Sequence, residues 1–135
     1  MNQMSQNAAF RFDEAIEAAA LRGEVRDDLI RDEVLADIFG ATARARPDHP
    51  ALIAGDERIT YAELDARTDA VARGLIRRGV GPGDVVGLWM PRGADLLAAQ
   101  IAVTKTGAAW LPFDAEAPAD RVAVCLADAA AKALV

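Results

Sequence analysis

The chain has 135 residues, of which 53% are hydrophobic and 27% are charged, and its formal net charge is -6. A chain of this size can bury a substantial core, and its composition excludes a disordered protein. The acidic balance argues against a nucleic-acid partner, because phosphates are held by clustered lysine and arginine. No apolar run approaches the ~20 residues that span a bilayer, and no signal peptide is recognisable, so we expect a cytoplasmic protein with no membrane contact.

Residues 1–32 differ in composition from the rest of the chain. A polar start, MNQMSQN, precedes an Ala/Glu-rich stretch over 12–21 with weak helical periodicity, and a charged run follows Gly23. We interpret residues 1–32 as a helical leader or linker and residues 33–135 as a separate folded unit.

The folded unit opens with a helix and a hairpin. Four apolar residues recur at helical spacing before Pro47: Val34, Leu35, Ile38 and Phe39. They predict a helix over 33–45 that ends at the proline. Leu52 and Ile53 then begin a short strand, and the chain turns through AGDE back to a second strand at Ile59.

The next helix carries the clearest start signal in the chain. Thr60 and Glu63 are three residues apart, a spacing that predicts a capping box in which each side chain satisfies a main-chain donor of the first turn. Tyr61 and Leu64 are expected to pack this helix onto the sheet, without catalytic duty. Gly79 predicts the end of the helix.

The glycine-rich loop GVGPGD does not have the context of a dinucleotide-binding loop. Such a loop follows a strand and opens a helix, whereas this one leaves a helix and enters the strand DVVGLWM. We therefore interpret Gly79, Gly81 and Gly83 as turn residues. The strand, over 84–90, is almost continuously apolar, which predicts a parallel strand buried on both faces.

Residues 103–114, VTKTGAAWLPFD, combine a helix end, a glycine stop and a strand. Lys105 falls in the last helical turn, where its charge complements the helix dipole, and Gly107 supplies a left-handed stop. The strand around Trp110 has apolar residues on both of its faces, which predicts that the strand is covered on both sides. Pro112 lacks a ladder donor and marks the strand's end or an edge.

Asp114 follows this strand, at the carboxyl end of the predicted sheet, and Arg92 follows the strand before it. Ligands of open α/β sheets bind at that end, so both positions are candidates for a site. From the local sequence alone we expect Asp114 to cap the following turn and Arg92 to be a surface residue that caps the next loop.

The remaining elements complete an alternation of strands and helices. We predict a helix over 94–106, a helix over 118–130 and a strand that begins at Ala133. Pro118 is expected at the first position of the second of these helices, and Asp120 in its first turn. The alternation predicts an α/β fold with a mostly parallel sheet and helices on both faces.

The residue inventory excludes several kinds of catalytic site. The only serine is Ser5, the only histidine is His49 and the only cysteine is Cys125, in three unrelated contexts. A catalytic triad therefore cannot be assembled, and His49 is interpreted as structural. Cys125 is interpreted as a buried, inert thiol. No catalytic residue and no metal ligand are nominated.

Two stretches resemble core motifs of the amino-acid adenylation domains of nonribosomal peptide synthetases, within the adenylate-forming, AMP-binding superfamily. Residues 59–64, ITYAEL, are similar to the first core motif and residues 103–114 to the second, and a short proline-to-arginine stretch follows. The matching positions are Thr60, Tyr61, Glu63, Leu64, Lys105, Gly107, Trp110, Pro112, Asp114, Pro118 and Arg121. The resemblance covers about residues 34–135, and we expect structural roles for these positions.

The resemblance implies that residues 33–135 form the N-terminal portion of the large subdomain of an adenylate-forming enzyme, incomplete at its C-terminal end. In the family order, the phosphate loop, the ribose-binding aspartate and the lid lysine follow the position of Val135. The complete enzyme would use ATP and Mg²⁺ to activate an amino acid and pass it to a phosphopantetheine carrier, in cis or in trans. The chain alone is expected to be an inactive fragment without cofactor, with the remainder of the domain and a carrier domain as partners.

Two alternatives stay open. The chain could be a non-catalytic assembly or interaction module that keeps the N-terminal part of the adenylation fold without its catalytic activity. It could also be a fragment of an acyl-CoA ligase, a class that more often carries asparagine at the position of Asp114; the aspartate favours an amino-acid substrate. With a carrier as partner, Arg92 becomes a candidate contact of the carrier arm.

Overall fold

The computed structural model describes residues 23–24, 26–30 and 32–135 and divides the chain into two units, Met1–Asp32 and Glu33–Val135. The described part of the first unit contains a 3₁₀ turn, Asp27–Leu29, beside which Arg26 Nη2 lies 2.6 Å from Asp28 Oδ2. The helix expected over 12–21 lies outside the described residues. No helix within the described ranges is long and apolar enough to cross a membrane.

The second unit alternates strands and helices. Its elements in chain order are α1 (Leu35–Ala45), β1 (Pro50–Ala54), β2 (Glu57–Thr60), α2 (Tyr61–Arg77), β3 (Val85–Trp89), α3 (Ala94–Lys105), β4 (Ala109–Phe113), α4 (Ala119–Asp128) and β5 (Ala133–Leu134). Strands β1 and β2 form an antiparallel hairpin, and the other three form a parallel sheet in the order β4-β3-β5. The predicted α/β class and parallel sheet are confirmed.

The central strand β3 is buried on both faces, as its continuous apolar sequence predicted. Val86 and Leu88 are fully buried in a core with Leu75 of α2 and Val103 of α3. On the opposite face, a Cβ at Gly87 would lie 2.5 Å from Leu126 Cδ2 of α4. Helices therefore pack on both faces of the sheet, and α4 approaches β3 closely because residue 87 has no side chain.

Strand β4 is the exception to the expected two-sided cover. Trp110 is 39% exposed, and all five residues of the strand are exposed or half-buried. The prediction of a strand covered on both sides is wrong, because β4 lies at an edge of the sheet and only β3 pairs with it among the described residues. Pro112 is opposite Leu88 in this edge strand, in agreement with its missing N–H donor.

A second core joins the hairpin to the helices. Leu64 of α2 is buried with Ile59 of β2 and Ala98 of α3, and Phe39 of α1 packs against them. The ring of Tyr61 lies 6.1 Å from that of Phe39, so the start of α2 rests on α1. Leu64 and Tyr61 thus pack α2 against the hairpin and against helices α1 and α3, whereas we expected them to pack it onto the parallel sheet.

Two details of the last helix differ from expectation. Helix α4 begins at Ala119, and Pro118 is its N-cap residue rather than its first helical residue. Asp120 lies in the first turn, as predicted. Cys125 is half-buried, so the prediction of a buried thiol is wrong. It lies on α4 with part of its side chain accessible.

Candidate functional site

The carboxyl ends of β3 and β4 bring Arg92 and Asp114 together. Arg92 Nη2 lies 3.8 Å from Asp114 Oδ1, and their side chains are 92% and 80% exposed. The turn after β4 is closed by the main chain, because Ala117 N donates to the carbonyl oxygen of Asp114 at 2.9 Å. The Asp114 side chain contacts Arg92, and no hydrogen bond from it to this turn is found among the described residues, so the expected side-chain cap is not formed. Arg92 is a surface residue, as expected, but its side chain pairs with Asp114.

Two cavities flank residues 112–114. The larger, about 370 Å³, is lined by Pro112, Phe113, Asp114, Glu116, Ala117, Pro118 and Arg121. The smaller, about 230 Å³, is lined by Met90, Arg92, Leu96, Pro112, Phe113 and Asp114. Four of the motif positions line the larger cavity, at the end of the sheet where ligands of open α/β folds bind: Pro112, Asp114, Pro118 and Arg121. Both cavities are open and carry charges of both signs.

Lys105 makes more contacts than its place in the last turn of a helix suggested. Its Nζ lies 2.6 Å from Asp65 Oδ1 and 2.5 Å from Asp69 Oδ1, both on α2. The same atom is 5.3 Å from the centre of the Phe39 ring, and the lysine side chain is only 14% exposed. A single cation thereby joins α1, α2 and α3. The sequence signal for this contact was the spacing of Asp65 and Asp69, which lie four residues apart on one face of α2.

The capping box of the first motif is confirmed. Thr60 N donates to Glu63 Oε2 at 2.8 Å, and Glu63 N donates to Thr60 Oγ1 at 3.3 Å. The main-chain N–H and the hydroxyl of Thr60 both donate to the carboxylate, which lowers the pKa of Glu63. These two motif residues start α2, the helix that presents both aspartates to Lys105.

Gly107 holds the turn between α3 and β4. Its φ is 79°, and a Cβ at this position would lie 2.9 Å from Pro82 Cγ in the glycine-rich loop. Any larger residue would therefore be strained by both its backbone and its neighbour. The helix stop predicted at Gly107 is confirmed, and it also sets the contact with the preceding loop.

The glycine-rich loop is a turn that is anchored by Asp84. Gly81 N donates to Asp84 Oδ2 at 2.8 Å, and Lys132 Nζ lies 3.3 Å from the same oxygen. The Gly81 N–H, and to a lesser degree Lys132, lowers the pKa of Asp84. The loop runs from α2 into β3, so its amides do not open a helix, as the sequence order predicted.

Other candidates carry little chemistry. The His49 ring is 6.5 Å from that of Tyr61, and its Nδ1 lies 3.0 Å from the carbonyl oxygen of Pro50. Within residues 23–24, 26–30 and 32–135, no group of three His, Cys, Asp or Glu side chains could hold a metal ion. The indole Nε1 of Trp89 is buried, and no acceptor for it is found in the described part of the chain. No pattern in the sequence indicated this unpaired donor.

A protein-family model described as AMP-binding enzyme matches residues 39–135. The chain belongs to this family. Among curated relatives, it is 50% identical over 115 residues to the delta-poly-L-ornithine synthetase of Acinetobacter baumannii, a match that covers 85% of this chain and 9% of the relative. It is 41% identical over 95 residues to the dimodular nonribosomal peptide synthase of Bacillus subtilis, covering 70% and 4%.

Similar solved structures agree with the fold. The N-terminal subdomain of Klebsiella oxytoca NpsA, in complex with 3-hydroxyanthranilyl-AMSN, is 30% identical with a TM-score of 0.70, over 76% of this chain and 26% of that one. The nonribosomal peptide synthetase FmoA3, in its AMPPNP-bound form, is 40% identical with a TM-score of 0.71, over 75% and 11%. The resemblance to the N-terminal part of a nonribosomal peptide synthetase adenylation domain is confirmed, and the chain spans a small part of these relatives.

Proposed function

We propose that residues 33–135 form the N-terminal part of an amino-acid adenylation domain and that their role in the domain is structural. The complete domain would join an amino-acid carboxylate to the α-phosphate of ATP with release of pyrophosphate. It would then transfer the acyl group to the thiol of a phosphopantetheine arm on a carrier domain. The main support is the 50% identity to a delta-poly-L-ornithine synthetase. In this proposal the leader, residues 1–32, links the domain to what precedes it, in a cytoplasmic protein.

The contacts of the motif residues support a scaffold role. Thr60 and Glu63 start α2, Lys105 ties α3 to α2 and α1, and Gly107 sets the turn into β4. Each of these residues makes its contacts within the fold, and none of them lines the two cavities that flank residues 112–114. The transfer itself depends on positioning ATP and neutralising its phosphates with Mg²⁺ and cationic groups, which we assign to the rest of the domain.

Amino-acid-dependent exchange of pyrophosphate into ATP tests this function. The natural full-length product of the gene should catalyse the exchange, and the isolated 135-residue chain should not. Robust exchange by the isolated chain would contradict the scaffold role. Acyl-adenylate formation by the full-length product from fatty acids, with none from amino acids, would favour an acyl-CoA ligase. If neither substrate class supports adenylation, the non-catalytic assembly module becomes the better account.

A further inference from the structure

We draw no further inference here: the strongest candidate, the exposed apolar flank at the start of α1 formed by Val34, Leu35 and Ile38, carries no proposal because nothing in the structure shows what covers it.

Discussion

Lys105 and Asp65 lie 40 positions apart in the chain, yet Lys105 Nζ is 2.6 Å from the carboxylate of Asp65. The lysine also donates to the main-chain carbonyl of Asp65 at 3.3 Å and to Asp69 Oδ1 at 2.5 Å. Three acceptors thus converge on one mostly buried ammonium group. This arrangement matches the number of donors that a lysine carries and explains a family-motif position by contacts within the fold.

Replacing Lys105 with methionine should lower the free energy of unfolding by about 1–2 kcal/mol. Methionine keeps the apolar stem near Phe39, but Asp65 and Asp69 then lose the ammonium group between them, although Asp69 keeps Arg73 Nη1 at 3.8 Å. The loss stays moderate because these carboxylates are 37% and 46% exposed, so water screens part of the interaction. Urea denaturation of the two proteins measures the difference.

Lys132→Met is the matched control for this prediction. Lys132 is 46% exposed and pairs with one carboxylate, that of Asp84. Its replacement should cost less than about 1 kcal/mol. If Lys105→Met is as stable as the wild-type chain, or if the two variants lose equal stability, the joining role of Lys105 is refuted.

Gly107→Ala should destabilise the chain, whereas Gly81→Ala should be nearly neutral. Gly107 has a φ of 79°, and a Cβ at this position would lie 2.9 Å from Pro82 Cγ, whereas a Cβ at Gly81 meets no atom within 4 Å. The left-handed backbone and the close contact together should cost about 1–3 kcal/mol. Thermal and urea unfolding would measure both variants, and equal stability of the two would show that the turn relaxes freely.

Asp84 should make the stability of the chain dependent on acid pH. Its pKa is lowered in the folded state, first by the Gly81 N–H and then by Lys132. A folded pKa below the unfolded value of about 3.9 stabilises the fold above that value, and the contribution is lost as pH falls through the folded pKa. The difference in unfolding free energy between wild type and Asp84→Asn should therefore be largest near neutral pH and shrink below about pH 4.

Urea unfolding at a series of pH values between neutral and acid tests this dependence. Asp56→Asn, in the turn between β1 and β2, serves as a control for the general loss of a negative charge. The Asp84→Asn curve should run closer to the wild-type curve at acid pH than at neutral pH. Parallel curves at every pH would mean that Asp84 contributes nothing through its charge.

Local features of the fold were accessible to sequence reasoning. The capping box of Thr60 and Glu63 is a contact between neighbours three residues apart, and the stop at Gly107 is a property of one residue's backbone. The continuous apolar run of β3 also predicted its burial, because its residues occupy the middle of the sheet. Each of these signals lies within a single element.

Features that depend on distant partners escaped prediction. The contacts of Lys105 require the docking of α3 on α2, and the exposure of Trp110 depends on whether another element covers β4. Apolar sequence predicts that a strand can be buried, but the order of strands decides whether it is. The pairing of Arg92 with Asp114 likewise needs the register of β3 and β4, which neither loop encodes alone.

Asp114→Asn should leave the stability of the chain unchanged within about 0.5 kcal/mol, although Asp114 is a family-motif position. Its ion pair with Arg92 is 3.8 Å long and lies in water, and the turn after β4 is closed by its main-chain carbonyl. Asparagine retains that carbonyl, so the turn survives. Urea unfolding should therefore show a smaller loss of stability for Asp114→Asn than for Lys105→Met, because Asp114 is exposed and Lys105 is mostly buried. A loss above about 1 kcal/mol for Asp114→Asn would instead assign this carboxylate to the stability of the fold.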